Sequence, residues 1–225
     1  MIGPAFVTIN EVCRWQVQEV NIGLRDAGYI YHWRHDSTQS IPDSPWCEKG
    51  NAVMWHNSRS SDAVSAYGWG VGGVTSGSDH RRMVCASLEV SVPRLRLCAT
   101  HLSNGLDQDA YTRRTAQIFN VANLTRLQLQ ESYQIITGGD FNQVPVDPQR
   151  YGGRDQMDPM YPTSYQPAGT GITTEVSGWR GGFPTQNVVQ KKYDYIFLTS
   201  AFSPASAVVQ PGHPSDHDYL IGSVW

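Results

Sequence analysis

Seven residues of this chain belong to types that hold hard cations or move protons, and each stands where an apolar run begins or ends. Glu11 follows Phe6-Val7-Thr8-Ile9-Asn10, His101 follows Leu97-Cys98-Ala99-Thr100, and Asp140 and Asn142 follow Ile135-Ile136-Thr137-Gly138. Asp194 heads Tyr195-Ile196-Phe197-Leu198, and Asp216-His217 precedes Tyr219-Leu220-Ile221. A carboxylate offers hard oxygens to a divalent cation, and an imidazole takes and returns protons near neutral pH. Side chains at strand ends are held by a packed sheet, so such residues can converge on one site. Each also has a plainer reading. Glu11 opens a helical pattern, where an acid complements the helix dipole. His101 alone suits a satisfied core or surface histidine, and Asp216-His217 a surface turn. Asp140-Phe141-Asn142 suits a turn closed by its own side chain. Asp194 resists that treatment, because a carboxylate in an apolar strand needs a partner.

The elements that must position these residues are legible in outline. Residues 4–10 read as a buried strand. A helix is expected from Glu11 to Gly28, with Val12, Trp15, Val20, Leu24 and Ala27 at helical spacing. Tyr29–Trp33 reads as a strand, 35–50 as a polar loop, 51–55 as a strand and 57–80 as a long surface excursion. A hairpin occupies 82–101 around Ser91-Val92-Pro93, and a long helix 108–131 presents Tyr111, Ile118, Val121, Ala122, Thr125 and Leu129. Further strands are expected at 134–138, 193–198 and 219–225, with turns across 145–187. Many short strands and two main helices suit a two-layer β core flanked by helices.

Of the 225 residues, 40% are hydrophobic and 16% charged, as in an ordinary globular domain. A net charge of −3 argues against a strongly basic nucleic-acid-binding surface. No apolar run is long enough to span a membrane, and no signal-peptide pattern opens the sequence. Four cysteines admit two readings. They are four buried thiols, as in a cytosolic enzyme, or two disulfides. A two-residue hairpin loop at 91–92 sets Cys85 opposite Cys98, within bridging range, which leaves Cys13 with Cys47. Both bridges would place the chain in an oxidising compartment.

Taken in order, the polar strand ends resemble the motifs of the endonuclease/exonuclease/phosphatase superfamily. INEV at 9–12 resembles its LQE motif, ATHLSN at 99–104 its THL strand end, and GGDFN at 138–142 its GDFN motif. YDYIFL at 193–198 resembles its aspartate-bearing strand, and PSDHDYLIG at 214–222 its SDH motif; Arg114 and Gln117 stand where the family carries an R..Q helix. The resemblance spans about residues 4–225 and implies one domain over 1–225, folded as a four-layer α/β sandwich with the site at one end. It implies that Glu11 binds a divalent cation, Mg²⁺ or Mn²⁺, with Asp216 helping directly or through water. Asp140 and Asn142 would position the attacking water and the phosphate. His217 would be the general base, oriented by Asp194, and His101 would bond a phosphate oxygen or serve the leaving group.

The same resemblance narrows the branch. Abasic-site endonucleases of the superfamily usually carry Tyr where this chain has His101, whereas deoxyribonucleases, sphingomyelinases and sugar- or inositol-phosphate phosphatases carry His. Glu48 is the candidate partner for that His in the deoxyribonuclease branch, and Cys13 with Cys47 resembles a pair in secreted bacterial members. One motif is missing. Family members begin with an Asn-bearing strand and a helix, roughly 25–35 residues with their connections, and only ten residues precede Glu11. The expectation is a truncated chain that is less stable or less active than an extended one. Three functions compete: a secreted, monomeric nuclease; a hydrolase of lipid or small-molecule phosphates such as sphingomyelin or inositol phosphates; and a non-catalytic family member.

Overall fold

A computed structural model describes residues 5–40, 47–57, 66–70, 81–88, 94–144, 156–161, 173–176, 184–186, 188–211 and 215–224. Three sheets form. The first has the order β1-β3-β2, with β1 Phe6–Cys13, β2 Tyr31–Ser40 and β3 Glu48–His56, all antiparallel. The second, six-stranded, has the order β4-β5-β6-β7-β9-β8. Its strands are β4 Ala66–Gly70, β5 Arg82–Leu88, β6 Arg94–His101, β7 Tyr133–Asp140, β8 Thr174–Glu175 and β9 Asp194–Leu198. Among the described residues only β6 and β7 run parallel, joined by helix α2 (Gln108–Gln130), as a crossover connection requires. A hairpin of β10 (Pro204–Gln210) and β11 (Tyr219–Val224) completes the set, and helix α1 spans Arg14–Asp26.

Strand periodicity explains the layering. Along β5, Met83 and Cys85 point to α2, where they join Cys98, Ile118, Val121, Ala122, Tyr133 and Phe197. Their neighbours Val84, Ala86 and Leu88 point the other way and meet Val53 and Trp55 of β3, with Leu97, Ile136 and Leu198. On β3 the alternation repeats: Ala52 and Met54 turn outward to Val17 of α1, with Val12 and Tyr31. Successive strand residues face opposite sides, so each sheet serves two cores. The order is α1, small sheet, large sheet, α2. This is the expected four-layer α/β sandwich. Ala207 of β10 also packs into the inter-sheet core, which puts that hairpin on the small-sheet side.

Several boundaries differ from the expectations. The helix read from Glu11 begins at Arg14, and Glu11 and Val12 belong to β1. Trp15 and Val20 are exposed, while Val17 alone of α1 is fully buried. The polar stretch after Trp33 continues β2 to Ser40, the excursion at 57–80 contains β4, and β10 is an additional strand. Polar sequence does not prevent strand pairing when backbone bonds to a central strand are available. The rest of the excursion and most of 145–187 lie outside the described residues.

The hairpin register places Cys85 directly against Cys98, and the two form a disulfide with Cα atoms 4.1 Å apart. Cys13 and Cys47 form the second, at 5.1 Å. The four-thiol reading is therefore replaced by two bridges. In the loop-closure picture a bridge across 13 residues stabilises by about 3 kcal/mol. For a chain of this size that corresponds to roughly 6–12 °C. Calorimetry of a Cys85→Ala/Cys98→Ala variant should show such a drop; an unchanged melting temperature would mean that this bridge contributes nothing.

Candidate active site

Strand register alone brings three of the candidate residues into a row. In the parallel β6–β7 ladder His101 pairs with Asp140, and in the antiparallel β7–β9 ladder Asp140 pairs with Asp194. Residues opposed in register share a face, so the three side chains emerge together at one end of the large sheet. Two glycines make this end possible. A Cβ on Gly138 would stand 2.8 Å from Thr8 Oγ1 of the facing sheet. Gly139 has φ +148°, and a Cβ there would stand 1.9 Å from the Thr100 carbonyl oxygen. Past Asp140 the chain turns through Asn142, at φ 50°. Its N–H donates to Asp140 Oδ1 at 2.7 Å and its Nδ2 to Leu102 O at 3.0 Å. Asp140-Phe141-Asn142 is thus a self-closed turn, as its plainer reading has it, and that turn aims the carboxylate.

Glu11 reaches the same end from the opposite sheet. Ile9 pairs with Ala52 and Val12 with Gly50, so Asn10 and Glu11 together face Asn51. This is a β-bulge, a device that re-aims side chains, and Glu11 sits in it at φ 53°. Its Oε1 lies 3.7 Å from His101 Nδ1, while His101 Nε2 lies 3.5 Å from Asp140 Oδ2. Asn10, its amide oxygen turned to β7, accepts from the Asp140 N–H at 2.8 Å and donates to Thr100 O and Asn51 Oδ1, each at 3.2 Å. The two sheets are therefore stitched by amides directly beneath the carboxylates.

The last member arrives from the turn before β11. His217 Nδ1 and Asp194 Oδ2 are 2.7 Å apart, and His217 Nε2 is 3.9 Å from Asp140 Oδ2. Backbone bridging to Gln186 fixes the His217 segment, and Tyr193 stacks on its ring at 6.2 Å. Thr185 Oγ1 accepts from the N–H groups of Tyr193 and Asp194, both at 3.0 Å. The partner that the half-buried Asp194 needed is thus His217. Ligand atoms of Asp140, Asp194 and His217 all lie within 4.8 Å of one another, close enough to hold one metal ion. Asp216 is exposed beside His217, and Glu11 meets His101 rather than this trio. Glu48 begins β3, opposite Ser40; its side chain lies outside the described residues.

Burial, and after it the Asp194 carboxylate, pushes Asp140 up to about 8. The hydrogen bond that His217 donates to Asp194 holds the imidazole up to about 9, with burial opposing. Crowded carboxylates short of positive charge suit a divalent cation, which would relieve both. Without metal the folded chain keeps two protons that the unfolded chain releases, for Asp140 from its ordinary 3.8 and for His217 from 6.5. The His217 contribution is complete below 6.5 and lost as pH rises through about 9, and the penalty for ionising Asp140 grows up to about 8. Both lower stability as pH rises. In EDTA the melting temperature should therefore fall between about pH 5 and pH 9, and Mg²⁺ should flatten that fall. Calorimetry across pH checks this; a rising curve in EDTA contradicts it.

Several contributors escape a search for strand-end acids. Arg114 Nη1 donates to Ser103 O at 3.0 Å and Gly105 O at 3.1 Å, and its Nε to Gln143 Oε1 and Gln156 Oε1 at 3.3 and 3.2 Å. Gln117 accepts from Ser103 N at 2.8 Å and donates to Ser103 Oγ at 2.7 Å. The R..Q pair thus pins the loops that follow His101 and Asn142. Buried Lys192 donates to Glu175, which also accepts from Tyr161, and so anchors the approach to Asp194. The signal for these was a charged or amide residue on the packed side of an otherwise apolar helix face or strand.

The family model described as the endonuclease/exonuclease/phosphatase family matches residues 2–217. The chain belongs to that family. No curated protein matches it. Among solved structures, the endonuclease/exonuclease/phosphatase fold recurs in the human Nocturnin catalytic domain at a TM-score of 0.73 and 16% identity, covering 99% of this chain and 81% of that one. A humanized D. rerio TDP2 superposes with a TM-score of 0.66 at 18% identity, covering 98% and 85%. The mannosyl-6-phosphatase of Bacteroides thetaiotaomicron gives 0.66 at 13% identity, covering 98% and 85%. Identities this low establish the shared fold. Family members act as phosphoesterases, generally with divalent metals, and this chain's two aspartates and one histidine offer a place for one. Among the described residues no helix is long and apolar enough to cross a membrane.

Proposed function

We propose that the chain is a secreted nuclease of the deoxyribonuclease-like branch, hydrolysing phosphodiester bonds with Mg²⁺ or Mn²⁺. The observation that carries the reading is the 2.7 Å contact between His217 and Asp194, with the other imidazole nitrogen 3.9 Å from Asp140. A carboxylate on Nδ1 fixes the tautomer and leaves Nε2 to take a proton from water. Asp140 and Asn142 orient that water and the scissile phosphate. His101, between Glu11 and Asp140, bonds a phosphate oxygen or the leaving group. Glu11 and Asp216 would hold the cation through hard carboxylate oxygens, which leaves the Asp140, Asp194 and His217 cluster, close enough by spacing alone to hold an ion, to the attacking water. When bound, the cation neutralises phosphate charge as the transition state forms. Two disulfides support an extracellular setting.

A second reading is a monoester or headgroup hydrolase acting on inositol phosphates or sphingomyelin. Net charge −3 favours it, because duplex DNA selects basic surfaces. Plasmid DNA, RNA, sphingomyelin and inositol phosphates, each assayed with Mg²⁺, Mn²⁺ or EDTA, separate the two. Chelation should abolish turnover of whichever substrate is cut, and turnover that persists in EDTA would sink the mechanism. Nucleic-acid cleavage should also weaken steeply as salt rises, whereas hydrolysis of a small monoester should not.

A further inference from the structure

The two disulfides occupy unlike surroundings. Cys85 and Cys98 are wholly buried beneath α2. Cys13 is buried, but its partner Cys47 is half-buried, directly ahead of β3. The second bridge also lies two residues past Glu11, where Cys13 ends β1 and caps α1. Glu11 holds a left-handed conformation, which an L residue with a side chain keeps only where its surroundings impose it. Beyond the ladder pairs with β3 that flank the bulge, three tethers hold the residues that follow it. His35 Nε2 donates to Val12 O at 2.9 Å, Cys13 N donates to Gln16 Oε1 at 2.8 Å, and Cys13 is bonded to Cys47. Two of the tethers are single hydrogen bonds. The third is covalent and the only one a reagent can cut.

We propose that the Cys13–Cys47 bond is a redox latch on Glu11. A dithiol thiolate attacks the sulfur of half-buried Cys47 and releases Cys13 as a thiolate. The second thiol of the reductant then displaces Cys47 and closes its own disulfide, so two electrons pass to the protein. Freed at Cys13, the bulge relaxes, the Glu11 carboxylate leaves its place beside His101, and turnover falls. The fold survives, because the buried Cys85–Cys98 bridge is out of reach. The fall in turnover rests on the proposed role of Glu11; the loosening of the bulge does not.

The experiment titrates the oxidised chain with dithiothreitol, traps thiols with iodoacetamide, and follows hydrogen exchange, turnover and melting. The expected result is alkylation at 13 and 47 while 85 and 98 stay joined. The peptide over residues 9–16 should exchange roughly ten-fold faster, and turnover should drop by about 100-fold, returning on reoxidation. A Cys13→Ser/Cys47→Ser variant should show the low turnover with or without dithiothreitol. Reduction of Cys85–Cys98 at the same dithiothreitol concentration, or unchanged exchange over 9–16 once Cys13–Cys47 is open, overturns the latch. Should the oxidised chain cut no phosphoester, the nuclease reading fails, and the exchange measurement still decides the latch.

Discussion

His217→Ala is expected to lower phosphoester hydrolysis by about 10²–10⁴-fold, the usual worth of a positioned base, without unfolding the protein. The imidazole is only partly buried and its backbone is bridged to Gln186, so its loss removes chemistry more than packing. Asp194→Asn separates orientation from basicity. An amide keeps the shape of the carboxylate but lets Nδ1 become the acceptor, which turns the reactive nitrogen into a donor; a loss of about 10⁴-fold is the precedent for such a swap. The hydrogen bond that His217 donates to Asp194 is the first cause of its raised proton affinity. Asp194→Asn should therefore also move the imidazole titration downward, which NMR of the ring protons reads directly. Near-normal turnover in either variant would remove that residue from the mechanism.

Gly139→Ala is expected to cost more stability than any other single methyl group near the site. Its φ of +148° already disfavours a side chain, and the new Cβ would stand 1.9 Å from the Thr100 carbonyl oxygen. That oxygen belongs to the neighbouring backbone and cannot rotate away. Backbone strain and overpacking together cost on the order of 4 kcal/mol, or roughly 8–16 °C of melting temperature. The adjacent Gly138→Ala is the control. There the new methyl meets Thr8 Oγ1 at 2.8 Å, a side chain that Thr8→Ala removes. The pair Gly138→Ala/Thr8→Ala should recover much of the loss, whereas no substitution of a neighbouring side chain should rescue Gly139→Ala. Thermal melts of the set check both statements.

The site was legible in sequence wherever a physical demand could be posed residue by residue. Asp194 in an apolar strand required a partner, and His217 supplies it 23 residues away. Cys85 and Cys98 follow from counting back from a two-residue loop. The row of His101, Asp140 and Asp194 follows from three strands ending together. Glu11 was harder. Val12, Trp15 and Val20 recur at helical spacing, yet Val12 belongs to the strand and the other two face solvent. A bulge has no compositional mark when the residue at positive φ is not glycine. The amides of Asn10 and Asn51 were invisible for a related reason: their meaning lies in which strand faces which. Arg114 and Gln117 were legible only through the R..Q resemblance, and Gln128, also buried on α2, had no such mark, because a search for apolar periodicity counts only the hydrophobic positions.

The bulge at Glu11 and the row on β6, β7 and β9 belong to different sheets, so the site straddles the seam of the sandwich. Its geometry is set by how Val53 and Trp55 of one sheet seat against Leu97, Ile136 and Leu198 of the other. The distance from Glu11 to Asp140 is in effect a gauge of that seating. A small rotation of one sheet on the other is largest at the ends of the strands, where the carboxylates stand, and smallest in the middle, where the packing lies. On the proposed mechanism, volume changes at residues that never meet substrate would therefore tune the rate.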